Sequence, residues 1–555
     1  GIGIAGGVFS WLFRLLIGLI HNIAFSGEFS AFYNANLHTE GSYLGWLIIF
    51  APVLGGLVVV YLIKNYAPEA KGHGVPEVMH AIYHKRGMIP ANVSLIKAIA
   101  SSITIGTGGS LGREGPIVQI SAALSSYIGS LAKLTVSQRN LMIACGASAG
   151  IAATFNAPMG GVLFSIELLL VAVNSRTVLT VAVSTVISAN VGRYLIGNEP
   201  AFSIPELLSI GEGGGIYASL LSIPLGVIIG FLALVFIKGI YYFEDQFDRL
   251  PVNDYFRHAI GMLLLGLIFY GIYRQTGHYY IQGVGYATIQ DILLNALSDP
   301  LFLLFLIFAK LLATCLTIGS GGSGGVFSPS LFIGAVTGGL FGHGVTLLFP
   351  GLGLNPIVFV VAGMAAMISG ATSAPLTAVI IVYEMTMDYD AILPILTAVS
   401  IAYVVRRHFM SGDIYTLKLN RRGQLIPEEL VADLKAHILV DDASSRNIVF
   451  VTEHEYASWE NDYACIVDDG KVVDIVDLTS QNVGREVPVR LLKKRKFIVL
   501  KAGSTADKAV MQFHLSQCDL ALVSTTGGTE KESVIGVVSA SGLVNAIGEV
   551  TQTLR

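Results

Sequence analysis

The sequence GTGGSLGREGPI, residues 106–117, decides how the rest of the chain is organised. It places five glycines, a proline and a single carboxylate, Glu114, inside a strongly apolar chain. Because glycine and proline interrupt helices, the backbone amides at the next helix start are left without intrahelical acceptors. Such amides, together with the positive end of the helix dipole, predict an anion site. Glu114 carries a negative charge of its own and would compete for that site.

The composition predicts an integral membrane protein. The chain has 555 residues, of which 53% are hydrophobic and only 13% charged, and its mean hydropathy is +0.67. Soluble domains carry charge on about a quarter of their residues. The 62 glycines suit close helix packing in a bilayer, where small residues allow backbones to approach each other.

Apolar segments follow one another from Ile2 to about Val405, and many are too short or too interrupted to span a bilayer. A spanning helix needs about 20 residues to cross the hydrocarbon core. Broken helices at membrane depth are tolerated where the backbone is buried in protein or lines an aqueous path. The pattern therefore favours a transporter or a channel over a simple anchor. The clear long segments are 44–63, 216–237, 260–273 and 301–316.

The opening stretch is part of an internal repeat. Residues 106–116 align without gaps on residues 319–329, GSGGSGGVFSP, at an offset of 319 − 106 = 213. Both copies keep the pattern G-x-G-G-S-x-G-x-x-x-P. Glycine-interrupted apolar segments at corresponding places in two halves are typical of the substrate site of a repeat-built transporter.

A second pair of segments follows in the same order. Residues 146–167 match residues 363–384 at an offset of 363 − 146 = 217, and Glu167 matches Glu384. The sequence does not decide whether the two halves are parallel or inverted. We interpret the two glutamates as buried structural acids bonded to nearby helix ends, with a role in proton transfer as the alternative.

The composition changes after the last apolar segment. A basic cluster follows it, and an excess of basic residues is typical of the cytoplasmic side of a membrane protein. Short alternating strands separated by charged turns then predict a small soluble α/β domain over residues 421–555. The basic cluster comprises Arg406, Arg407, Lys418, Arg421 and Arg422.

Residues 497–547 predict the order strand, helix, strand, turn, strand, helix, which resembles a CBS domain. Residues 447–479 are interpreted as a poorer first copy, since such domains usually pair. The domain would either bind an adenine nucleotide or only stabilise a dimer, and no residue in the sequence decides between the two roles.

Other candidate sites are weaker. Glu77, His80 and His84 have the spacing of metal ligands on one helix face, but without a third strong ligand they predict a polar helix edge. The four cysteines have no metal spacing and are expected to be reduced thiols. We therefore predict no metal site. The cysteines are Cys145, Cys315, Cys465 and Cys518.

Four motifs in order resemble the CLC family of voltage-gated chloride channels and chloride/proton exchangers. GHGVP at 72–76 lies where the family has GSGIP, and GREGP at 112–116 matches the family's G(K/R)EGP. GGVFSP at 324–329 contains the family's GxFxP. Tyr415, in DIYTLKL, falls where the family has an ion-coordinating tyrosine. The resemblance covers roughly residues 1–420.

The resemblance implies an all-α polytopic membrane protein, an inverted-repeat CLC-type helical bundle with broken helices, followed by the small α/β CBS-like cytoplasmic domain. The membrane domain would occupy residues 1–420, with halves of about 1–200 and 201–420, and the cytoplasmic domain residues 421–555. The family forms homodimers with one pore in each subunit. A prokaryotic inner membrane, with the C-terminus in the cytoplasm, is the implied location.

The resemblance also implies a role for each matching residue. Glu114 would be the gating glutamate, whose side chain competes with chloride in the pore. Val326 and Phe327 would offer backbone amides to the ion, and Tyr415 would offer its hydroxyl from the cytoplasmic side. Neutral donors of this kind hold an anion without a fixed full charge, so the anion can also leave. The implied chloride contacts are His73, Gly74, Gly115, Val326, Phe327 and Tyr415.

Two positions depart from the family pattern. His73 replaces the serine of GSGIP, which affects the preference for chloride over nitrate; an imidazole could donate to the ion, add charge at low pH, or turn away. Leu168 follows Glu167 at the position where exchangers typically carry an inner proton-relaying glutamate. Leucine cannot carry a proton, although water in a hydrated cavity can.

We therefore expect transport of chloride or a similar small anion through one glutamate-gated pore per subunit, with channel-like conduction favoured because of Leu168. The alternative is a chloride/proton antiporter of the same fold. A remote alternative is a membrane enzyme or receptor with the C-terminal domain as its sensor. An enzyme would need a second catalytic group near Glu114, and the equivalent position in the repeat supplies only Phe327. We expect no enzymatic activity, no cofactor other than the possible adenine nucleotide, and no nucleic-acid partner.

Overall fold

The computed structural model describes the chain except for residues 172, 199–200, 203, 205–213, 388–390, 425–438, 459, 481–486, 517 and 554–555. The chain forms two compact units, Gly1–Ile426 and Pro427–Arg555.

The first unit is helical, and the helices of its described residues fall into two corresponding sets of eight followed by one short helix. The first set is α1 (Ile2–Phe25), α2 (Ala51–Tyr66), α3 (Val75–His84), α4 (Ala91–Gly106), α5 (Glu114–Leu131), α6 (Val136–Phe155), α7 (Pro158–Leu168) and α8 (Ser175–Ile196). The second set is α9 (Gly214–Arg249), α10 (Asp254–Thr276), α11 (Tyr286–Leu293), α12 (Pro300–Gly319), α13 (Phe327–Leu348), α14 (Ile357–Thr372), α15 (Pro375–Thr386) and α16 (Ile392–Phe409), and α17 (Thr416–Arg421) ends the unit.

Helices of very different length make up this unit. Among the described residues, eight helices are long and apolar enough to cross a membrane, with α2 lengthened by the 3₁₀ turn Gly45–Phe50. In contrast, α3 and α11 have only 10 and 8 residues. At about 1.5 Å per residue, neither can cross a bilayer. The prediction of broken helices is therefore confirmed.

Glycines allow the helices at the centre of the unit to touch through their backbones. A side-chain carbon added at Gly363 of α14 would lie 3.1 Å from the Cα atom of Gly338 in α13. Gly334 of α13 likewise faces the backbone of Gly363. Without a hydrophobic force between helices in lipid, such close contact supplies much of the attraction between them.

The two sets of helices are related by a two-fold rotation. Glu167, near the end of α7, accepts hydrogen bonds from the amides of Leu376 and Thr377 at the start of α15, at 2.9 and 2.7 Å. Glu384, near the end of α15, accepts from Met159 and Gly160 at the start of α7, at 3.0 and 2.7 Å. Equivalent helices therefore run antiparallel, and the halves are inverted.

These bonds also confirm the interpretation of the two glutamates as structural acids bonded to helix ends, although their side chains are half-buried instead of fully buried. A carboxylate near amides at a helix start is favoured by the free N–H groups and the helix dipole. Each glutamate therefore closes the exposed start of the opposite helix.

The described residues of the second unit form three sheets and two helices. A central four-stranded sheet has the order β1-β3-β4-β6, β2 pairs with β5, and a three-stranded sheet has the order β7-β8-β9. The elements are β1 (Ile448–Val451), β2 (Tyr456–Ala457), β3 (Tyr463–Asp468), β4 (Lys471–Asp477), β5 (Val487–Pro488), β6 (Lys494–Arg495), β7 (Phe497–Lys501), α18 (Ala506–Ser516), β8 (Leu520–Ser524), β9 (Val534–Ser539) and α19 (Ala540–Thr553).

The order β7, α18, β8, β9, α19 is the one that the sequence predicts for the CBS-like copy. Strand β8 is buried along its whole length because it lies between β7 and β9. The predicted first copy differs, since the described residues from β1 to β4 form strands and turns and no helix. Strands β1 and β3 nevertheless pair in parallel, as β7 and β8 do in the second copy.

Candidate functional site

Three glycine-rich segments that are far apart in the sequence meet in the middle of the first unit. The Gly72 amide donates to the Gly322 carbonyl at 3.1 Å, and the Gly324 amide donates to the Gly72 carbonyl at 3.2 Å. Gly112 and Gly325 exchange two hydrogen bonds of 2.7 Å each. Since 325 − 112 = 213, these two glycines are equivalent in the repeat, and the two-fold axis passes between them.

Glycine is required at this meeting point. Gly74 has a φ of +90°, and a side-chain carbon there would lie 2.7 Å from the Gly115 carbonyl oxygen. A carbon at Gly115 would overlap with the carbonyl oxygen of His73, and one at Gly325 would lie 2.7 Å from the Gly115 nitrogen. The starts of α3, α5 and α13 can therefore approach each other only because these positions carry no side chain.

The three helices that begin here are not capped by side chains. Helices α6, α8 and α10 begin with Thr135, Asn174 and Asn253, whose side chains accept hydrogen bonds from first-turn amides. Helices α3, α5 and α13 begin without such a bond. Their first-turn amides, and the positive ends of three helix dipoles, point into one region. That arrangement suits an anion.

The Glu114 carboxylate lies at this point and is 2% exposed. Its Oε1 atom accepts hydrogen bonds from the hydroxyls of Tyr286, at 2.6 Å, and Ser328, at 2.7 Å. Its Oε2 atom has no hydrogen-bond partner among the described residues. A buried carboxylate is therefore held through one oxygen by neutral donors, while the other oxygen is left for a proton or for the amides around it.

His73 and Tyr415, both predicted chloride contacts, lie next to each other. Their ring centroids are 6.5 Å apart, and the two residues are 1% and 2% exposed. Neither ring nitrogen of His73 has a hydrogen-bond partner in the described part of the chain. Tyr415 precedes α17, and its amide donates to the Asp413 carboxylate at 2.7 Å. A buried imidazole without partners is costly unless something else bonds to it.

The remaining predicted residues occupy the start of α13 and the end of α7. Val326 and Phe327 are buried at the start of α13, where Phe327 packs against Phe155 with ring centroids 5.3 Å apart. Leu168 is buried in the apolar core at the last position of α7. Glu77, at the proposed polar helix edge, is paired with Arg422 at 2.7 Å.

A basic cavity of about 620 Å³ lies beside Tyr286, which is a hydrogen-bond donor to Glu114. Arg14, Arg113 and Arg193 line it together with Tyr286, whose hydroxyl bonds to Glu114. The Arg113 guanidinium lies 5.3 Å above the Tyr286 ring. Positive charges in a cleft raise the local concentration of anions.

The sequence patterns predict no role for Tyr286, Ser328, Lys97 or Lys310. Ser328 lies within the GGVFSP motif, and Lys97 and Lys310 are 213 residues apart, which is the offset of the repeat. An alignment of the two halves would have found the lysines. Only the three-dimensional contact with Glu114 identifies Tyr286.

The family model described as "Voltage gated chloride channel" matches residues 55–407. The chain belongs to the CLC family. It is therefore an integral membrane protein of a family that transports chloride, as the resemblance implied.

Individual CLC proteins agree with this membership. The H⁺/Cl⁻ exchange transporter ClcA of Vibrio campbellii is 31% identical over 405 residues, which is 70% of this chain and 84% of that protein. The crystal structure of a slow cyanobacterial Cl⁻/H⁺ antiporter has a TM-score of 0.67 and 26% identity, covering 76% of this chain and 96% of the antiporter. A eukaryotic CLC transporter structure has a TM-score of 0.67 at 19% identity and covers 98% of this chain and 96% of its own, which shows a shared fold.

Proposed function

We propose that this CLC protein is a chloride/proton exchanger in which Glu114 both competes with chloride and carries the proton. The observation that carries the proposal is the Glu114 carboxylate itself, buried at the starts of three uncapped helices with one oxygen unpartnered. The same side chain can bond to these amides as an anion or leave them as a neutral acid. Chloride and the ionised carboxylate are then alternatives at one place, and protonation of Glu114 frees that place for chloride.

The cytoplasmic side of the path is formed by His73 and Tyr415 in this proposal. Both are buried side chains that can donate a hydrogen bond without adding a fixed charge when the imidazole is neutral. His73 takes the place of the family's serine as the donor to the ion, which would satisfy an otherwise unpartnered ring.

The relatives favour exchange over passive conduction. ClcA of Vibrio campbellii and the cyanobacterial protein are both described as exchangers of protons and chloride. This reverses the preference for channel-like conduction that Leu168 suggested. Exchange then requires that protons pass the inner half of the protein without an acid at position 168, and water in a hydrated cavity can carry them there.

A passive chloride channel is the second candidate, and Leu168 is the observation that favours it. Its side chain is buried in the apolar core at the end of α7 and cannot relay a proton.

We further propose a homodimer with the C-terminal unit in the cytoplasm, in keeping with the basic cluster between Arg406 and Arg422. Binding of an adenine nucleotide by that unit is a separate proposal.

The test uses purified protein in vesicles with a chloride gradient, no pH gradient and a voltage clamped near zero by a potassium ionophore. An exchanger moves protons uphill, and the direction reverses when the chloride gradient is reversed. Chloride flux without proton movement would contradict exchange and support the channel. Vesicles without protein give the background leak.

A further inference from the structure

Among the described residues, both side-chain donors to the Glu114 carboxylate come from the second half of the repeat. Tyr286 begins α11 and Ser328 is the second residue of α13, whereas Glu114 belongs to the first half. The equivalent positions in the first half are Val75 (286 − 75 = 211) and Gly115 (328 − 115 = 213), neither of which has a side-chain donor. The hydroxyl pair therefore breaks the symmetry of the fold at the gate.

The two hydroxyls form a closed triangle with the carboxylate. Tyr286 Oη lies 2.6 Å from Glu114 Oε1, Ser328 Oγ lies 2.7 Å from the same oxygen, and the two hydroxyls are 3.0 Å apart. All three residues are buried. Hydrogen bonds to an ionised group are about twice as strong as those between neutral groups.

This triangle holds the carboxylate at the start of α13. A carbon placed on Gly112 would overlap with Glu114 Oε2 and lie 2.9 Å from Ser328 Oγ and 3.0 Å from the Ser328 nitrogen. The unpartnered oxygen, the serine hydroxyl and a first-turn amide of α13 therefore surround one small volume. A carboxylate fixed there occupies space that an anion at this helix start would need.

The Tyr286 ring is itself fixed from both sides. Arg113 lies above it at 5.3 Å, and the Phe202 ring packs edge-on with centroids 5.1 Å apart. The ring also lines the basic cavity that holds Arg14. Tyr286 thus lies between that cavity and the gate, and its hydroxyl direction is set by the packing of its ring.

We propose that Tyr286 and Ser328 are positioning residues that hold the Glu114 carboxylate in the anion path and so set how strongly it competes with chloride. This inference rests on the proposed role of Glu114 but not on whether the protein is an exchanger or a channel. Removing either hydroxyl weakens the hold on the carboxylate, and chloride then binds more tightly because it displaces a looser competitor.

The experiment measures chloride binding to the detergent-solubilised full chain by isothermal titration calorimetry at pH 7.5. Tyr286→Phe keeps the ring and removes only the hydroxyl. We expect the apparent Kd for chloride to fall by about tenfold, the size of one hydrogen bond to a charged group. Ser328→Ala should shift it in the same direction. Tyr279→Phe is the matched control, because that buried hydroxyl accepts a bond from Ser42 and does not contact Glu114.

The double variant Tyr286→Phe with Glu114→Gln distinguishes an effect of Tyr286 through the Glu114 carboxylate from a direct effect on the anion. If Tyr286 acts through the carboxylate, its hydroxyl has no effect on chloride binding once Glu114 is neutral. Equal changes in both backgrounds would mean that Tyr286 contacts the anion directly, which would overturn the proposal. If Tyr286→Phe leaves the apparent Kd for chloride unchanged while Glu114→Gln lowers it, the positioning role of Tyr286 is overturned and the competing role of Glu114 is kept. No effect of Glu114→Gln would overturn both this inference and the gating role of Glu114.

Discussion

Lys97 and Lys310 occupy equivalent positions in the two halves, and each fully buried side chain donates to two backbone carbonyls just before a short helix. The four bonds are 2.7–3.0 Å long. Lys97 thereby fixes the segment that carries His73, and Lys310 fixes the one that leads to Tyr286. The acceptors are Ala70 and Gly72 for Lys97, and Ile281 and Gly283 for Lys310.

Replacing either lysine should destabilise the protein. Lys310→Met keeps most of the side-chain volume but leaves the Ile281 and Gly283 carbonyls without a donor among the described residues, which costs about 1–3 kcal/mol for each group. Lys97→Met should cost less, because the Ala70 and Gly72 carbonyls keep their bonds from the Ser323 hydroxyl and the Gly324 amide. We expect a lower midpoint of thermal unfolding in detergent for both variants. Lys64→Met is the control, because Lys64 is about half exposed and pairs with the similarly exposed Asp254. Midpoints equal to that of the control would contradict a structural role for the buried ammonium groups.

The close contact between Gly325 and Gly115 predicts that a side chain at position 325 destabilises the protein. Gly325→Ala places a methyl group 2.7 Å from the Gly115 nitrogen, on the two-fold axis where neither backbone can give way without moving a helix start. Overpacking of this kind costs about 1–3 kcal/mol. Gly271→Ala is the matched control, since nothing lies within 4 Å of the added carbon. We expect loss of yield and of chloride flux for Gly325→Ala only, and normal flux in that variant would contradict the close contact.

Much of the fold was predictable because the repeat is marked by glycine and proline residues, whose effects on the backbone are local. The two copies of G-x-G-G-S-x-G-x-x-x-P correctly predicted matching helix starts at Glu114 and Phe327. The sequence could not decide whether the halves are inverted, because that depends on the contacts of Glu167 and Glu384 across the two-fold axis.

The glycines of the site could be predicted from the sequence, whereas only some of its side-chain contacts could. His73 and Tyr415, predicted independently from two motifs, lie side by side. Tyr286 was missed because an aromatic residue at a helix start has no sequence signature; its role comes from a contact with Glu114, 172 positions away. In the C-terminal unit, the segment interpreted as a poorer first CBS-like copy differs from the second copy, since its described residues from β1 to β4 form paired strands and no helix.

The imidazole of His73 should affect anion preference. If it donates to the ion, His73→Ser exchanges a bulky donor for the family's hydroxyl and changes the ratio of chloride to nitrate flux. We expect a shift of several-fold, measured in vesicles with each anion in turn. His80→Ser is the control, because His80 is only half-buried on α3, where its ring centroid lies 5.3 Å from that of His84. An unaltered flux ratio in His73→Ser would mean that the side chain does not face the ion.

The cysteines of the C-terminal unit should differ in reactivity. Burial in β3 raises the pKa of the Cys465 thiol to about 12, and the side chain is 0% exposed. The thiolate is the reactive form, so at pH 8 this thiol remains protonated and unreactive. Cys518 is half-buried and should be alkylated by iodoacetamide in the folded protein. Mass spectrometry after alkylation should find Cys465 modified only in denaturant, and modification of the folded protein at equal rates would contradict this burial.

The most direct test of the account measures chloride flux and proton flux together in Glu114→Gln, at several external pH values. A neutral amide of the same size can neither carry the proton nor compete as an anion. We expect that chloride flux persists and loses its pH dependence, while proton flux disappears. Proton flux that continues in Glu114→Gln, or chloride flux that keeps the wild-type pH dependence, would contradict the central role of Glu114.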